Sequence, residues 1–342
     1  MTGPVNDADR AFAAAPPPSP AGEAPAAGAR RRSPFVLAAR LASGLVAVAL
    51  CYAGLWWDAR LGTGWFLALL VSLVALAGLH EFLRFVGHLA PKGCPLDIRP
   101  FAGLAYAAAA LLPWATEWDC LRHAAGASLP MDFSTGLIAL TALGSCLWQL
   151  TRRTPDGAMA NVGLTLLAVA YCAWLPSFFV RMRHLAFPDP GAAHGYGWEY
   201  QGVEFVVMGI FMAKNTDCGA LLIGGRWGRT KLIPRLSPGK TREGALGGLA
   251  FSVGLMAICL ASAPNMALSV LGWPLALGLA VLTGLASIAG DLVESAFKRD
   301  CRLKDAGSGV PGFGGMLDLV DSLMVAGPVM YGFLLLAGAC AR

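Results

Sequence analysis

In the stretch GDLVESAFKR, residues 290–299, Asp291, Glu294, Ser295 and Lys298 recur at i, i+3, i+4 and i+7. On a helix of about 3.6 residues per turn that spacing puts all four on one face. The chain continues through Arg299, Lys304 and Asp305 to the turn PGFGG at 311–315, and then to Asp318 and Asp321, again three apart. Carboxylates suit Mg²⁺, a hard cation that usually takes one or two of them together with substrate phosphates. Lys and Arg suit the phosphate oxygens. Gly312, Gly314 and Gly315 let the backbone turn sharply and come close to a ligand. A solvated linker needs charge, but neither the glycines nor the shared faces.

Two further polar clusters accompany this one. AKNTDCGA, residues 213–220, sets Lys214, Asn215 and Asp217 inside an apolar run. An unpaired Lys or Asp there costs roughly 2.5–3.5 kcal/mol, so it marks either a polar cavity or a mutually neutralised i,i+3 pair. LSPGKTREG, residues 236–244, contains GKT. A phosphate-binding P-loop needs a glycine five positions before Gly239, and Pro234 stands there, with no buried strand ahead of it. What remains is a turn (Ser237, Pro238, Gly239) followed by Lys240, Thr241, Arg242 and Glu243 at the start of an apolar helix. Backbone N–H groups at such a start, with a Lys and a hydroxyl, form a phosphate cradle.

The elements that must position these clusters are membrane helices. The 342 residues are 56% hydrophobic and 14% charged, against about 25% charged in soluble domains. Mean hydropathy is +0.59. Apolar runs long enough to cross a bilayer predict an all-α polytopic bundle of about nine spans, near 35–57, 63–82, 100–116, 132–150, 158–180, 203–224, 245–263, 270–290 and 322–341. Lys and Arg accumulate on the cytoplasmic side of membrane proteins. With a cytoplasmic N-terminus, most of the 26 basic residues fall on inner segments, and the two richest, 225–244 and 291–321, face the cytoplasm together. Residues 1–34, Ala/Pro-rich and ending in Arg30, Arg31 and Arg32, read as a disordered cytoplasmic tail; 35–200 reads as an N-terminal set of spans and 201–342 as the catalytic region. The nine cysteines form no CxxC pair, which points to small buried apolar residues.

The C-terminal half resembles the phosphatidate cytidylyltransferase (CDP-diacylglycerol synthase) family. The family signature runs S-x-x-K-R-x4-K-D, then P-G-H-G-G, then D-R-x-D. Ser295, Lys298, Arg299, Lys304, Asp305, Pro311, Gly312, Gly314, Gly315, Asp318 and Asp321 match it in order and spacing. SPGKTREG is similar to the family's S-P-x-K-T-x-E-G, and NTDCGA to its segment with an intramembrane Asp. The likeness is close over 203–322. Phe313 stands where the signature has His, and Leu319 where it has Arg.

The resemblance implies that CTP and phosphatidate react to give CDP-diacylglycerol and pyrophosphate, with Mg²⁺ as cofactor. It implies Asp291, Asp318 and Asp321 as metal ligands and a weaker role for Asp305. Lys298, Arg299, Lys304 and Lys240 would hold phosphates; Asn215 and Asp217 would line the cavity where the headgroup enters. Ser237, Thr241, Glu243, Glu294, Ser295, Gly312, Gly314 and Gly315 complete the expected substrate contacts. The expected partners are CTP, phosphatidate and the lipid bilayer, with a homodimer as one admissible assembly and no nucleic acid. The expected location is the bacterial inner (plasma) membrane, with the site facing the cytoplasm. A CTP-dependent lipid-alcohol kinase would use similar features, as would an impaired relative lacking the His and Arg. A transporter fits less well, because the first half holds no inverted repeat of the polar segment.

Overall fold

Apolar runs become helices throughout, because a chain in lipid must satisfy every backbone N–H and C=O internally. The structure, a computed structural model, describes residues 49–89, 99–127, 130–152, 156–187, 198–301, 303 and 315–341. Lys304, Asp305, Gly312, Phe313 and Gly314 lie outside the described residues, as does the expected tail.

After a helix over 49–61 come α1 (Trp65–Leu89), α2 (Arg99–Ala124), α3 (Phe133–Gln149) and α4 (Ala158–Val169). A π-helical turn, Ala170–Trp174, joins α4 to α5 (Ser177–Arg183). The long helices α6 (Trp198–Trp227), α7 (Arg242–Ser262), α8 (Gly272–Asp300) and α9 (Met316–Leu336) follow. Two short antiparallel pairs complete the fold. β1 (Leu185–Ala186) pairs with β4 (Cys340–Ala341), and β2 (Lys231–Ile233) forms a hairpin with β3 (Ser237–Thr241).

Among the described residues, six segments are long and apolar enough to cross a membrane: Trp65–Gly87, Ala158–Arg183, Tyr200–Trp227, Arg242–Ser262, Ala267–Asp300 and Met316–Leu336. The protein is a helical membrane bundle with two short strand pairs. α2 falls short of that apolarity because Glu117, Asp119 and Arg122 sit in its last turns, and α3 has only 17 residues. Large apolar side chains cover the outside, such as Leu246 at 67% and Ile258 at 66% exposure on α7. Such a surface suits lipid as its surroundings. Of the cysteines, Cys120, Cys172 and Cys301 are buried as small apolar residues, whereas Cys146 and Cys218 are exposed on the surface.

Small residues set the helix spacing where the site forms. A Cβ on Gly248 would lie 2.6 Å from the Thr216 carbonyl oxygen, and one on Gly290 would lie 2.4 Å from that of Asp321. Neither position accepts a larger residue without parting α7 from α6, or α8 from α9. Gly290 immediately precedes Asp291, so α8 and α9 come close where the acidic residues face each other.

Helix starts raise a separate problem, since their first N–H groups have no partner within the helix. Carboxylates borrowed from elsewhere in the chain supply one. Asp58 accepts from the Phe66 and Leu67 N–H groups, both at 3.0 Å, and Asp119 from those of Phe133 at 2.8 Å and Ser134 at 2.9 Å. Glu81 of α1 accepts from Met316 and Leu317 at the start of α9, both at 2.8 Å.

Candidate active site

Three carboxylates converge where α8 meets α9. One oxygen each of Asp291, Glu294 and Asp321 lies within 4.8 Å of the other two. Helical spacing places Asp291 and Glu294 on the face of α8 that meets α9, and Gly290 lets Asp321 approach. Glu294 is 1% exposed and Asp321 5%. Asp321 Oδ1 also accepts the N–H of Ser322 at 2.6 Å. The buried Glu294 Oε1 has no hydrogen-bond partner among the described residues. An orphaned buried carboxylate oxygen beside two further carboxylates is a donor set that fits a hard divalent cation.

Cations surround this cluster on the protein's own account. Lys298 Nζ lies 3.1 Å from Glu294 Oε2 and 2.5 Å from Asp318 Oδ1. Asp318 Oδ2 accepts the Gly315 N–H at 3.1 Å, closing the first turn of α9. Asp318 therefore holds Lys298 at the edge of the acidic group, while Asp291, Glu294 and Asp321 form its centre. Lys240 reaches across from β3 and pairs with Asp291. Ser295 is half-buried on the next position of α8. Arg299 turns outward to the hairpin instead, donating from Nε to the Leu236 carbonyl at 3.1 Å.

A cavity of about 400 Å³ opens beside the carboxylates. Asp217 and Gly224 of α6, Ser237, Lys240 and Thr241 of the hairpin, and Asp291 of α8 are among its walls. The sequence predicts a turn at 237–239; the structure extends it into a hairpin pairing Lys231 with Thr241 and Ile233 with Ser237. Strands of three and five residues are too short to show a period in sequence. Thr241 caps α7 by accepting the Gly244 N–H at 3.1 Å. Glu243 accepts the N–H groups of Arg229 and Thr230, both at 3.1 Å, so it fastens the loop between α6 and β2 to the start of α7 and does not line the cavity.

Asp217 is the hub joining α6 to the helices that carry the cluster. Its Oδ2 lies 3.2 Å from Lys214 Nζ and accepts the Ser322 hydroxyl at 3.0 Å. Its Oδ1 lies 3.1 Å from the hydroxyl of Ser287 on α8. Lys214 donates in turn to Ser322 Oγ at 2.7 Å. One member of the i,i+3 pair, Asp217, thus also lines the cavity. Asn215 is not brought to the cavity; its amide donates to the Phe251 carbonyl of α7 at 2.7 Å. Leu319 is 38% exposed on the turn that bears Asp318.

Glu81 is the residue here that motif reading missed. Its hydrogen bonds to the start of α9 span 235 and 236 residues. The available signal was a lone carboxylate near the end of the apolar run 63–82.

The chain thus gathers three carboxylates with Lys240 and Lys298 between membrane helices, and of these Asp291 and Lys240 line the cavity. Comparison with known proteins gives the family. One relative, the chloroplastic phosphatidate cytidylyltransferase 5 of Arabidopsis thaliana, is 36% identical over 193 residues, 52% of this chain and 46% of its own length. The chain thus matches about half of that protein. The phosphatidate cytidylyltransferase of Synechocystis sp. is 29% identical over 314 residues, covering 87% of this chain and 96% of that one. That of Brucella suis is 40% identical over 139 residues, 40% of this chain and 49% of the relative. The model of the cytidylyltransferase family matches residues 38–337, nearly the whole bundle, and the chain belongs to that family.

Proposed function

We propose that the protein is a CTP:phosphatidate cytidylyltransferase, a nucleotidyltransferase that makes CDP-diacylglycerol for phospholipid synthesis. A phosphate oxygen of phosphatidate attacks the α-phosphorus of CTP. The bond from that phosphorus to the bridging oxygen of the β-phosphate breaks, and pyrophosphate leaves. The attacking oxygen is already anionic, so no strong general base is required, and Phe313 in place of a histidine is compatible with turnover. Catalysis then rests on positioning and charge neutralisation.

Each group in the site has a role in that step. Asp291, Glu294 and Asp321 would hold Mg²⁺, with Asp318 at their margin. When bound, Mg²⁺ neutralises phosphate charge and that developing on the departing pyrophosphate. Lys240 and Lys298 bind phosphate oxygens, and Asp318 keeps Lys298 in place between uses. Asp217, braced by Ser287 and Ser322, keeps the cavity wall rigid beside the reacting groups. The observation that carries this reading is the convergence of three carboxylates with Lys240 and Lys298 inside a membrane bundle, where Asp291 and Lys240 open onto a cavity.

The labelling pattern of the products tests the reaction class. Label at the α-phosphate of CTP is expected in the lipid product, and label at the γ-phosphate in pyrophosphate. A lipid-alcohol kinase would give the reverse, with γ-label in lipid and CDP released.

A site that uses CTP would face the cytoplasm. If the helix over 49–61, α2 and α3 also cross, the six apolar segments bring the total to nine passes, and the basic loops would then put the N-terminus in the cytoplasm. CTP then arrives from the cytoplasm and phosphatidate from the bilayer, here taken as the bacterial inner membrane. Arg235→Cys in the hairpin is expected to react with impermeant thiol reagents only after the membrane is opened. Asn265→Cys, between α7 and α8, should react from outside in intact cells. The opposite pattern would invert the topology and put the site on the wrong side for CTP.

A further inference from the structure

We infer that Glu81 is a positioning residue of the transfer site: from α1 it fixes the first turn of α9, and through that turn sets Asp318 and Asp321 against α8. This inference rests on the transfer reaction proposed above.

Glu81 is 5% exposed, and its two oxygens are used separately. Oε1 accepts the Met316 N–H and Oε2 the Leu317 N–H, both at 2.8 Å. Two donors on two oxygens fix the carboxylate plane as well as its position. The two amides and the positive end of α9 face its charge. A second contact grips the same turn. Leu317 is fully buried, and a Cβ on Gly78, three residues before Glu81, would lie 3.1 Å from Leu317 Cδ2.

The consequence lies in the next residues. Asp318 follows directly, and Asp321 comes one turn later on the same helix. Asp318 spends Oδ2 on Gly315 and keeps Oδ1 for Lys298. Without Glu81, the N–H groups of Met316 and Leu317 would stand unsatisfied beside Asp318, the nearest carboxylate in sequence. They would draw it off Lys298 and into ordinary helix capping. Asp58 and Asp119 cap other helix starts in the same manner, but the helices they cap carry no member of the acidic group. The N-terminal helices thereby take part in building the site and do more than enclose it.

A residue that merely stabilises the fold would change Tm without changing metal affinity, and this separates the two roles. Glu81→Gln preserves shape but offers one acceptor and turns an NH₂ group toward a backbone N–H. In this variant the Mg²⁺ concentration for half-maximal turnover is expected to rise about tenfold, equivalent to about 1.4 kcal/mol. Mn²⁺ binding to the nucleotide-free protein should weaken by a similar factor, while KM for phosphatidate stays unchanged. Glu81→Asp, which keeps the charge but is shorter, should fall between the variant and the wild type. In the wild type, peptides spanning 315–318 should show slow amide hydrogen exchange. A folded Glu81→Gln protein with unaltered Mn²⁺ affinity and Mg²⁺ dependence would overturn the inference. So would rapid exchange at 316 and 317 in the wild type, a result available even if the variants fail to fold. Exchange and Mn²⁺ binding need no substrate, so they remain readable if the wild type makes no CDP-lipid, which would refute the proposed reaction instead.

Discussion

Replacing Asp291 by Asn is expected to lower kcat about a thousandfold or more while the bundle remains folded and inserted. Asp291 lies within the acidic group and is also the partner of Lys240. The amide keeps the shape of the carboxylate but loses the charge that would hold a divalent cation and set the hairpin lysine. Metal neutralisation of transferring phosphates contributes several kcal/mol to the transition state, and about 4 kcal/mol corresponds to three decades in rate. The effect on stability should have the opposite sign or vanish. Three carboxylates whose oxygens lie within 4.8 Å repel one another in the metal-free protein, so removing one charge relieves strain. Turnover by lipid product formation, read beside Tm in detergent, checks both halves. Activity within tenfold of wild type at low Mg²⁺ would remove Asp291 from the metal site.

The second large effect is expected at Lys298, and it falls on stability as well as activity. Its side chain is 12% exposed and sits between Glu294, itself 1% exposed, and Asp318. Lys298→Met leaves Glu294 buried and unpaired beside Asp291 and Asp321. Breaking a buried pair by removing one member costs roughly 3–5 kcal/mol, because an uncompensated charge stays inside. A large drop in Tm or in the yield of folded protein is therefore expected, together with loss of turnover. Adding Glu294→Gln removes the orphaned charge, so the double variant should regain most of the stability and none of the activity. Lys298→Met protein as stable as the parent would mean that the lysine does not carry the charge balance of the site.

The parts of this site that one helix contains were legible in the sequence, and those depending on how helices pack were not. Asp291, Glu294 and Lys298 share a face because 3.6 residues per turn puts them there whatever surrounds the helix. Intramembrane Lys214 and Asp217 announced themselves by their cost in hydrocarbon, and they do wall the cavity or brace it. Periodicity does not encode which of several nearby carboxylates faces the others. The resemblance grouped Asp318 with Asp291 and Asp321, whereas the packing of α8 on α9 sets Glu294 in the centre and leaves Asp318 holding Lys298. Side chains that serve the backbone were equally hidden. Asn215, Glu243 and Arg299 look like ligand-binding residues by type and place, yet each is engaged by main-chain groups. Glu81 lies at the far extreme, since a contact across 235 residues leaves no local pattern. Membrane helices as a class were plain from composition. α2 and α3 are the weak spans because charge and length, the two properties that hydropathy reads, both run short there.

The most direct test is to incubate the purified full chain with CTP, phosphatidate and Mg²⁺ and follow the lipids by mass spectrometry and the released pyrophosphate in parallel. CDP-diacylglycerol and pyrophosphate are expected to appear in equal amounts, to require Mg²⁺, and to be absent with the Asp291→Asn protein. Folded protein that binds CTP and Mg²⁺ but forms no CDP-lipid, or that releases CDP while phosphorylating a lipid alcohol, would contradict the assignment of cytidylyl transfer to this site.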